Sequence, residues 1–305
     1  MLRYVTTRIA YAIAVILGVS VLVFLLVRLG GDPTSLFLPP ESTAEEIARF
    51  RSRMGFDRPL IVQYLDFLSR AVQGDFGRSL RHQEPAMPLV LDRLPATLQL
   101  AGAALLLAVF LAVPTAIYAA TRRDSIFDRV SLLVTVVGQS FPTFWLGIML
   151  ILIFSEHLEW LPPSGRGSWA HLVMPAITLA AYSTALISRL LRASMLEVLQ
   201  ADYIRTARSK GLGERIVVLR HALRNAAIPA ITVIGLQVGA LLGGAVITEE
   251  IFAYPGMGRL AIQAIANRDF AVVQAFVVFM AVIVVSINLC VDIAYSVLDP
   301  RIRLK

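Results

Sequence analysis

The chain has 305 residues, of which 57% are hydrophobic and only 16% are charged. Soluble domains carry about 25% charged residues, so this composition excludes a soluble globular protein and indicates an integral membrane protein. The single cysteine, Cys290, excludes an internal disulfide. The formal net charge is +7, but the basic residues flank apolar segments, so they indicate membrane orientation rather than nucleic-acid binding.

Six apolar segments are long enough, and poor enough in charge, to cross a bilayer as helices. They are residues 9–27, 98–120, 130–154, 172–191, 228–247 and 271–291. The first of them resembles a signal peptide, but it is too long for an h-region and lacks a small-residue cleavage site, so we expect a retained anchor. The predicted fold is all-α, with an N-terminal tail and first span (1–29), an outer helical segment (30–97) and a five-helix core (98–305).

The outer segment carries its own helix signals. Ser42 and Thr43 precede Glu45 and Glu46, a capping-box pattern that predicts a helix continuing to about Arg53. Pro59 suits the first turn of a second helix, which we expect to be amphipathic and to end near Val72. This segment could contact a soluble partner or pack on the helix bundle.

Lys and Arg residues in the short loops predict the orientation of the chain. One side of the membrane collects most of them: Arg3, Arg8, Arg122, Arg123, Arg129, the loop 192–227, Arg301, Arg303 and Lys305. We therefore expect a protein that crosses the cytoplasmic (inner) membrane several times, with both termini on the cytoplasmic side.

Polar and small residues within the spans are the candidates for a transport path. Polar groups there are costly and usually face the bundle or water, which points to Gln139, Ser140, Gln237, Asn288 and Glu249, the last at the outer end of its span. Pro142 marks either a hinge or an ordinary kink. Gly235, Gly239 and Gly243 form a smooth stripe that allows another helix to approach closely. That helix could belong to this chain or to a second membrane subunit beside the transport path.

The loop between the fourth and fifth spans is the most informative segment. Two helical stretches flank Gly211 and Gly213, and the loop is strongly basic through Arg205, Arg208, Lys210, Arg215, Arg220 and Arg224. A long ordered loop of this kind indicates a docking surface, although a segment lying on anionic lipid would have a similar composition.

Several short segments, in order along the chain, carry a family resemblance. They are 2–4 (LRY), 31–33 (GDP), 73–80 (QGDFGRSL), 201–207 (ADYIRTA), 243–249 (GGAVITE) and 298–303 (LDPRIR). Together they resemble the inner-membrane permease subunits of ATP-driven ABC importers, in the branch that transports dipeptides, oligopeptides, glutathione or nickel. Arg205 and Arg224 depart from the Glu and Pro of the wider superfamily's loop signature, as in that branch.

The resemblance implies a type I importer permease that pairs with a second homologous permease, two cytoplasmic ATPases and an extracytoplasmic binding protein in the lipid bilayer. It also implies that a coupling segment contacts the ATPase; the matching residues are Asp202, Arg205, Ala207, Gly211, Leu212 and Gly213. Peptide cargo, including glutathione, is the expected substrate, and nickel or another small solute is the alternative.

Catalytic and metal motifs are missing from the sequence. There is no phosphate-binding loop, so ATP and Mg²⁺ are expected on the partner ATPases and no cofactor on this chain. No serine-hydrolase or His-Glu-x-x-His pattern indicates an enzyme, and no histidine pair predicts a metal site. An ion-coupled secondary transporter would carry carboxylates at mid-membrane, which the first five spans lack.

Overall fold

The computed structural model describes residues 2–29, 42–54 and 57–298, where the regular structure is helical apart from an isolated bridge between Arg78 and Pro85. The helices are α1 (Leu2–Leu29), α2 (Ala44–Met54), α3 (Leu60–Val72), α4 (Ala86–Thr121), α5 (Ile126–Ser140), α6 (Thr143–His157), α7 (Ala170–Leu199), α8 (Asp202–Ser209), α9 (Glu214–Ile251), α10 (Met257–Ala266) and α11 (Phe270–Leu298). The signals expected within 30–41, 55–56 and 299–305, including Arg301, Arg303 and Lys305, lie outside the described residues.

The helices confirm an all-α membrane fold. Five of them are long and apolar enough to span a bilayer, and the bent pair α5–α6 raises the number to six if it counts as one span. Several helices extend beyond their apolar windows: α4 begins at Ala86 instead of 98, α7 continues to Leu199 instead of 191, and α9 begins at Glu214 instead of 228. The expected loop 192–227 therefore contains the end of α7, all of α8 and the start of α9.

The third predicted span is not one straight helix. Its two arms, Ile126–Ser140 and Thr143–His157, meet at 103°. Phe141 and Pro142 both have extended backbone, with ψ of 132° and 137°. A residue that precedes proline is disfavoured in the helical region, and proline has no N–H to donate, so the helix ends at Ser140 and restarts after Pro142.

One compact unit consists of residues 1–93 and 260–289. An aromatic cluster holds it together: Phe24 of α1 lies with ring centroids 5.5 Å from Tyr64 and 5.8 Å from Phe67 of α3. Farther along, the buried Ser79 hydroxyl donates to the buried carboxylate of Asp269, which immediately precedes α11. At the start of α2, the Thr43 amide donates to the Glu46 carboxylate at 2.9 Å, which confirms the capping box.

The second compact unit consists of residues 94–259 and 290–305. Its helix α4 presents a stripe of alanines at every fourth position, Ala104, Ala108, Ala112 and Ala116, all with 0% exposure. Small side chains in such a stripe allow neighbouring backbones to approach closely. This unit contains α8 and the long helices α7 and α9 on either side of it.

Candidate coupling segment and transport path

The helix α8 is a short amphipathic element between two long helices. Asp202 lies in its first turn, where a negative charge is favourable, and Lys210 follows its last residue. Gly211 then adopts φ +76°, in the left-handed region that glycine enters without steric cost. The chain therefore turns sharply and enters α9 three residues later.

Two side chains seat α8 in the core. Ile204 is 0% and Ala207 7% exposed, one turn apart on the same face. Both belong to a buried cluster that includes residues of α4, α7 and α9: Ala116, Ala120, Leu191, Met195, Val217, Val218, Ala222, Ala226 and Ala230. These two side chains thus seat α8 in a buried cluster that it shares with three long helices.

The opposite face of α8 is exposed and charged. The side chains of Arg205 and Asp202 are 82% and 96% exposed, and their charged atoms are 3.8 Å apart. Leu212 is also exposed, as are Gly211 and Gly213 on either side of it. Of the predicted coupling residues, Ala207 alone is buried; the others lie on the accessible surface.

Polar contacts brace the turn after α8. The Arg208 guanidinium donates to both carboxylate oxygens of Glu214, at 2.7 and 3.1 Å, and this hydrogen bonding raises the pKa of Arg208 above its usual range. The Asn225 amide donates to the Tyr203 hydroxyl at 3.0 Å. Both contacts connect α8 to α9, so the exposed face is held in one orientation.

A largely buried ion pair fixes the helix that leads into α8. Arg192 of α7 donates to both oxygens of Asp128 of α5, at 2.6 and 2.7 Å. The Asp128 side chain is 3% exposed, and it also accepts from the backbone N–H of Asp124 at 3.0 Å. Sequence reasoning missed this pair, because its members are 64 residues apart and neither has a local motif.

Glu249 lies at the end of α9 with 0% exposure. Its carboxylate accepts hydrogen bonds from the Thr97 hydroxyl at 2.6 Å and from the backbone N–H groups of Gly258 and Arg259 at 2.8 and 3.1 Å. The Thr97 oxygen accepts in turn from the Met257 N–H at 2.9 Å. These three N–H groups open α10, and the first N–H groups of a helix have no partner within it. Glu249 and Thr97 therefore cap α10 from α9 and α4.

Two glycines make room for this cap. A Cβ atom at Gly256 would overlap the Glu249 carboxylate, and one at Gly258 would lie 2.5 Å from the backbone Cα of Val246. Nearby, the Tyr254 hydroxyl donates to the Gln99 amide oxygen at 3.1 Å, and burial raises the pKa of this phenol. Sequence reasoning singled out Glu249 but found neither its partners nor the glycines it requires.

The other predicted path residues lie in different surroundings. The Gln237 amide donates to the Ser183 hydroxyl at 2.7 Å, and it is twelve residues from Glu249, which is about 18 Å along a helix. The Gln139 amide nitrogen is buried without a hydrogen-bond partner, whereas Ser140 donates to the Val136 carbonyl at 2.8 Å. Asn288 of α11 is exposed. Their role as path residues stays a prediction.

The three glycines of the predicted stripe in α9 do not share one environment. A Cβ at Gly235 would lie 2.8 Å from the Val291 side chain, so this glycine packs within the chain. Gly239 is buried. Gly243 faces open space, with no atom within 4 Å of a Cβ placed there. Among the described residues, no group of three His, Cys, Asp or Glu side chains is arranged to hold a metal ion.

Known protein families and their members match this chain along nearly its whole length. Residues 112–304 match the family described as "Binding-protein-dependent transport system inner membrane component", and residues 1–101 match its N-terminal counterpart. The chain is 44% identical, over 100% of both sequences, to the "Glutathione transport system permease protein GsiC" of Escherichia coli strain K12 and of Shigella dysenteriae serotype 1.

Two solved structures share the fold. One is the MetNI methionine ABC transporter in inward-facing conformations, with a TM-score of 0.56 and 16% identity over 70% of this chain and 97% of that chain. The other is an amino acid ABC transporter with histidines, with a TM-score of 0.54 and 18% identity over 68% of this chain and 93% of that chain. At these identities the likeness concerns architecture alone.

Proposed function

The chain belongs to the family of binding-protein-dependent transport system inner membrane components, and we propose that it forms the translocation path for glutathione or other short peptides in an ATP-driven importer. The substrate class rests on the 44% identity to permeases that bear the name of glutathione transport. The mechanism rests on one observation, the buried seat and exposed charged face of α8.

The proposed energy input comes through α8. Because Ile204 and Ala207 share one buried cluster with residues of α4, α7 and α9, we expect a displacement of α8 to be transmitted to these helices. A cytoplasmic ATPase would grip the exposed face around Arg205 and Leu212. ATP and Mg²⁺ would bind to the ATPases, and this chain would contribute no catalytic group to hydrolysis.

The proposed assembly has two permease subunits, two ATPases and an extracytoplasmic binding protein. Both termini and α8 lie in the cytoplasm, as the basic residues of the short loops predict. ATP-driven closure of the ATPases turns the cavity outward, the binding protein delivers the peptide, and hydrolysis returns the cavity to the inward state. Gln139, Ser140, Gln237, Glu249 and Asn288 are proposed along the path.

Uptake by whole cells tests the proposal. A strain that lacks this gene, and the same strain with the gene restored, are compared for uptake of labelled glutathione, a labelled dipeptide and ⁶³Ni. Loss and rescue of glutathione or dipeptide uptake is the expected result. Loss and rescue of nickel uptake alone would replace the substrate while retaining the importer; restored uptake that persists after ATP depletion would contradict the energy source.

A further inference from the structure

The helix α3 carries an apolar strip that stays exposed among the residues that the structure describes. Ile61, Leu65 and Val72 are 64%, 57% and 81% exposed. At 100° per residue these positions fall within a sector of about 40°, so they form one narrow strip along the helix. Three exposed large apolar side chains in line need a partner that is itself apolar.

A different face of α3 fixes the helix to α1. The Tyr64 and Ser20 hydroxyls are hydrogen-bonded at 2.8 Å, and the rings of Tyr64 and Phe67 pack on Phe24. Phe67 also contacts Phe76, with ring centroids 6.1 Å apart. The apolar strip is therefore additional to the surface that holds α3 in place.

The contact with α1 sets the depth of α3 in the membrane. Ser20 and Phe24 both lie inside the apolar span Thr6–Val27. They precede Val27 by seven and three residues, which places them about 10 and 5 Å from the end of the span. Helices that lie in the membrane interface bury their apolar face about 5–10 Å into the boundary between head groups and acyl chains. A helix that touches Ser20 and Phe24 is at that level.

The third face of α3 is polar. Asp66 and Arg70 form an ion pair one turn apart at 2.6 Å, and Ser69 lies between the strip and this pair around the helix. Leu22 and Leu26 of α1 are 62% and 65% exposed, so lipid-facing surface continues on the faces of α1 that α3 leaves open. Apolar strip, polar face and depth together match a helix at a lipid–water boundary.

We infer that α3 lies in the interface of the leaflet at which α1 ends, with Ile61, Leu65 and Val72 buried among the acyl chains. Its occupant is lipid, and the helix anchors the segment that follows α1 to the bilayer surface. This inference is independent of the substrate and of the energy source.

Site-directed spin labelling tests the placement. Leu65→Cys and Val72→Cys are compared with Ser69→Cys, a control on the polar side of the same helix. All three are made in a Cys290→Ser background, because Cys290 is the single native cysteine and is exposed. The full-length chain, with the subunits that co-purify with it, is reconstituted into vesicles of phosphatidylethanolamine and phosphatidylglycerol.

Labels at 65 and 72 are expected to show a severalfold higher ratio of oxygen to Ni-EDDA accessibility than the label at 69, because oxygen concentrates in the acyl region and the nickel chelate stays in water. Ni-EDDA accessibility at 65 as high as at a water-exposed label at 69 would place the strip in water, as for a surface that awaits a soluble protein, and would overturn the inference. Exclusion of both reagents at 65 and 72 would show a protein partner on the strip and would overturn it as well. Having two strip positions guards against a single variant that fails to fold.

Discussion

The two adjacent glutamates at the end of α9 provide a matched experiment. Glu249 is fully buried and accepts from Thr97 and from the N–H groups of Gly258 and Arg259. Glu250 has a side chain that is 45% exposed and lies 3.9 Å from the Arg259 guanidinium. The same substitution, glutamate to alanine, thus removes a buried cap in one case and a surface charge in the other.

The expected costs differ by several kcal/mol. Glu249→Ala leaves two backbone N–H groups without an acceptor, at about 1–3 kcal/mol each, so the free energy of unfolding should fall by roughly 2–6 kcal/mol. Glu250→Ala loses an exposed ion pair, which contributes about 0–1 kcal/mol. Gly256→Ala should resemble Glu249→Ala, because the new Cβ would displace the same carboxylate.

Unfolding of the purified protein in mixed detergent micelles measures these differences. Limited proteolysis in the folded state adds a local readout, since loss of the cap should expose the backbone between α9 and α10 to cleavage. Equal stability and equal cleavage for Glu249→Ala and Glu250→Ala would refute the capping role.

Four further predictions concern this site. Asp128→Ala or Arg192→Ala alone should cost about 3–5 kcal/mol, and the double variant less than the sum, as a double-mutant cycle of unfolding energies would show; additive costs would contradict a buried pair. Ala207→Leu should overfill the seat of α8, at about 1–3 kcal/mol, and lower the peptide imported per ATP hydrolysed. An unchanged ratio of peptide imported to ATP hydrolysed in Ala207→Leu would count against α8 as the transmitting element. Arg205→Ala, on the exposed face, should instead leave the free energy of unfolding unchanged while weakening ATPase binding. Gly211→Ala should cost about 1–2 kcal/mol through its left-handed backbone alone, since nothing surrounds its Cβ position; a neutral result in the same unfolding assay would show that the turn relaxes.

Span composition made most of the fold predictable. Long apolar windows mark membrane helices, but they do not mark where the helices end, since α4 begins twelve residues before its window and α7 ends eight residues after its own. Helical hydrogen bonding continues beyond the apolar window of α7, and α4 is helical before its window even though Pro95 lies in that part of the helix. Pro142 did indicate a break in the third span, yet the angle of 103° depends on the extended conformation of Phe141 as well.

Local chemistry made part of the site predictable. The amphipathic pattern of α8 and the sharp turn at Gly211 that follows it are both indicated by neighbouring residues in the sequence. Contacts such as Thr97 with Glu249 join positions 152 residues apart, and no periodicity encodes them. Glu249 and Glu250 look alike in sequence, because burial of one and exposure of the other are decided by the packing of α4 and α10 around them.

The alanine stripe of α4 has a mechanical consequence. Its methyl groups recur every four residues, about 6 Å, which is close to the 5.4 Å pitch of the helix. A shift of α4 by one turn would bring each methyl to the place of the next, and alanine has no rotamers that would need to change. A surface that repeats itself along its axis cannot define its own axial register. The Thr97 hydroxyl, near the start of α4, is hydrogen-bonded to Glu249 and to the Met257 N–H, and these specific contacts fix the axial position of the helix.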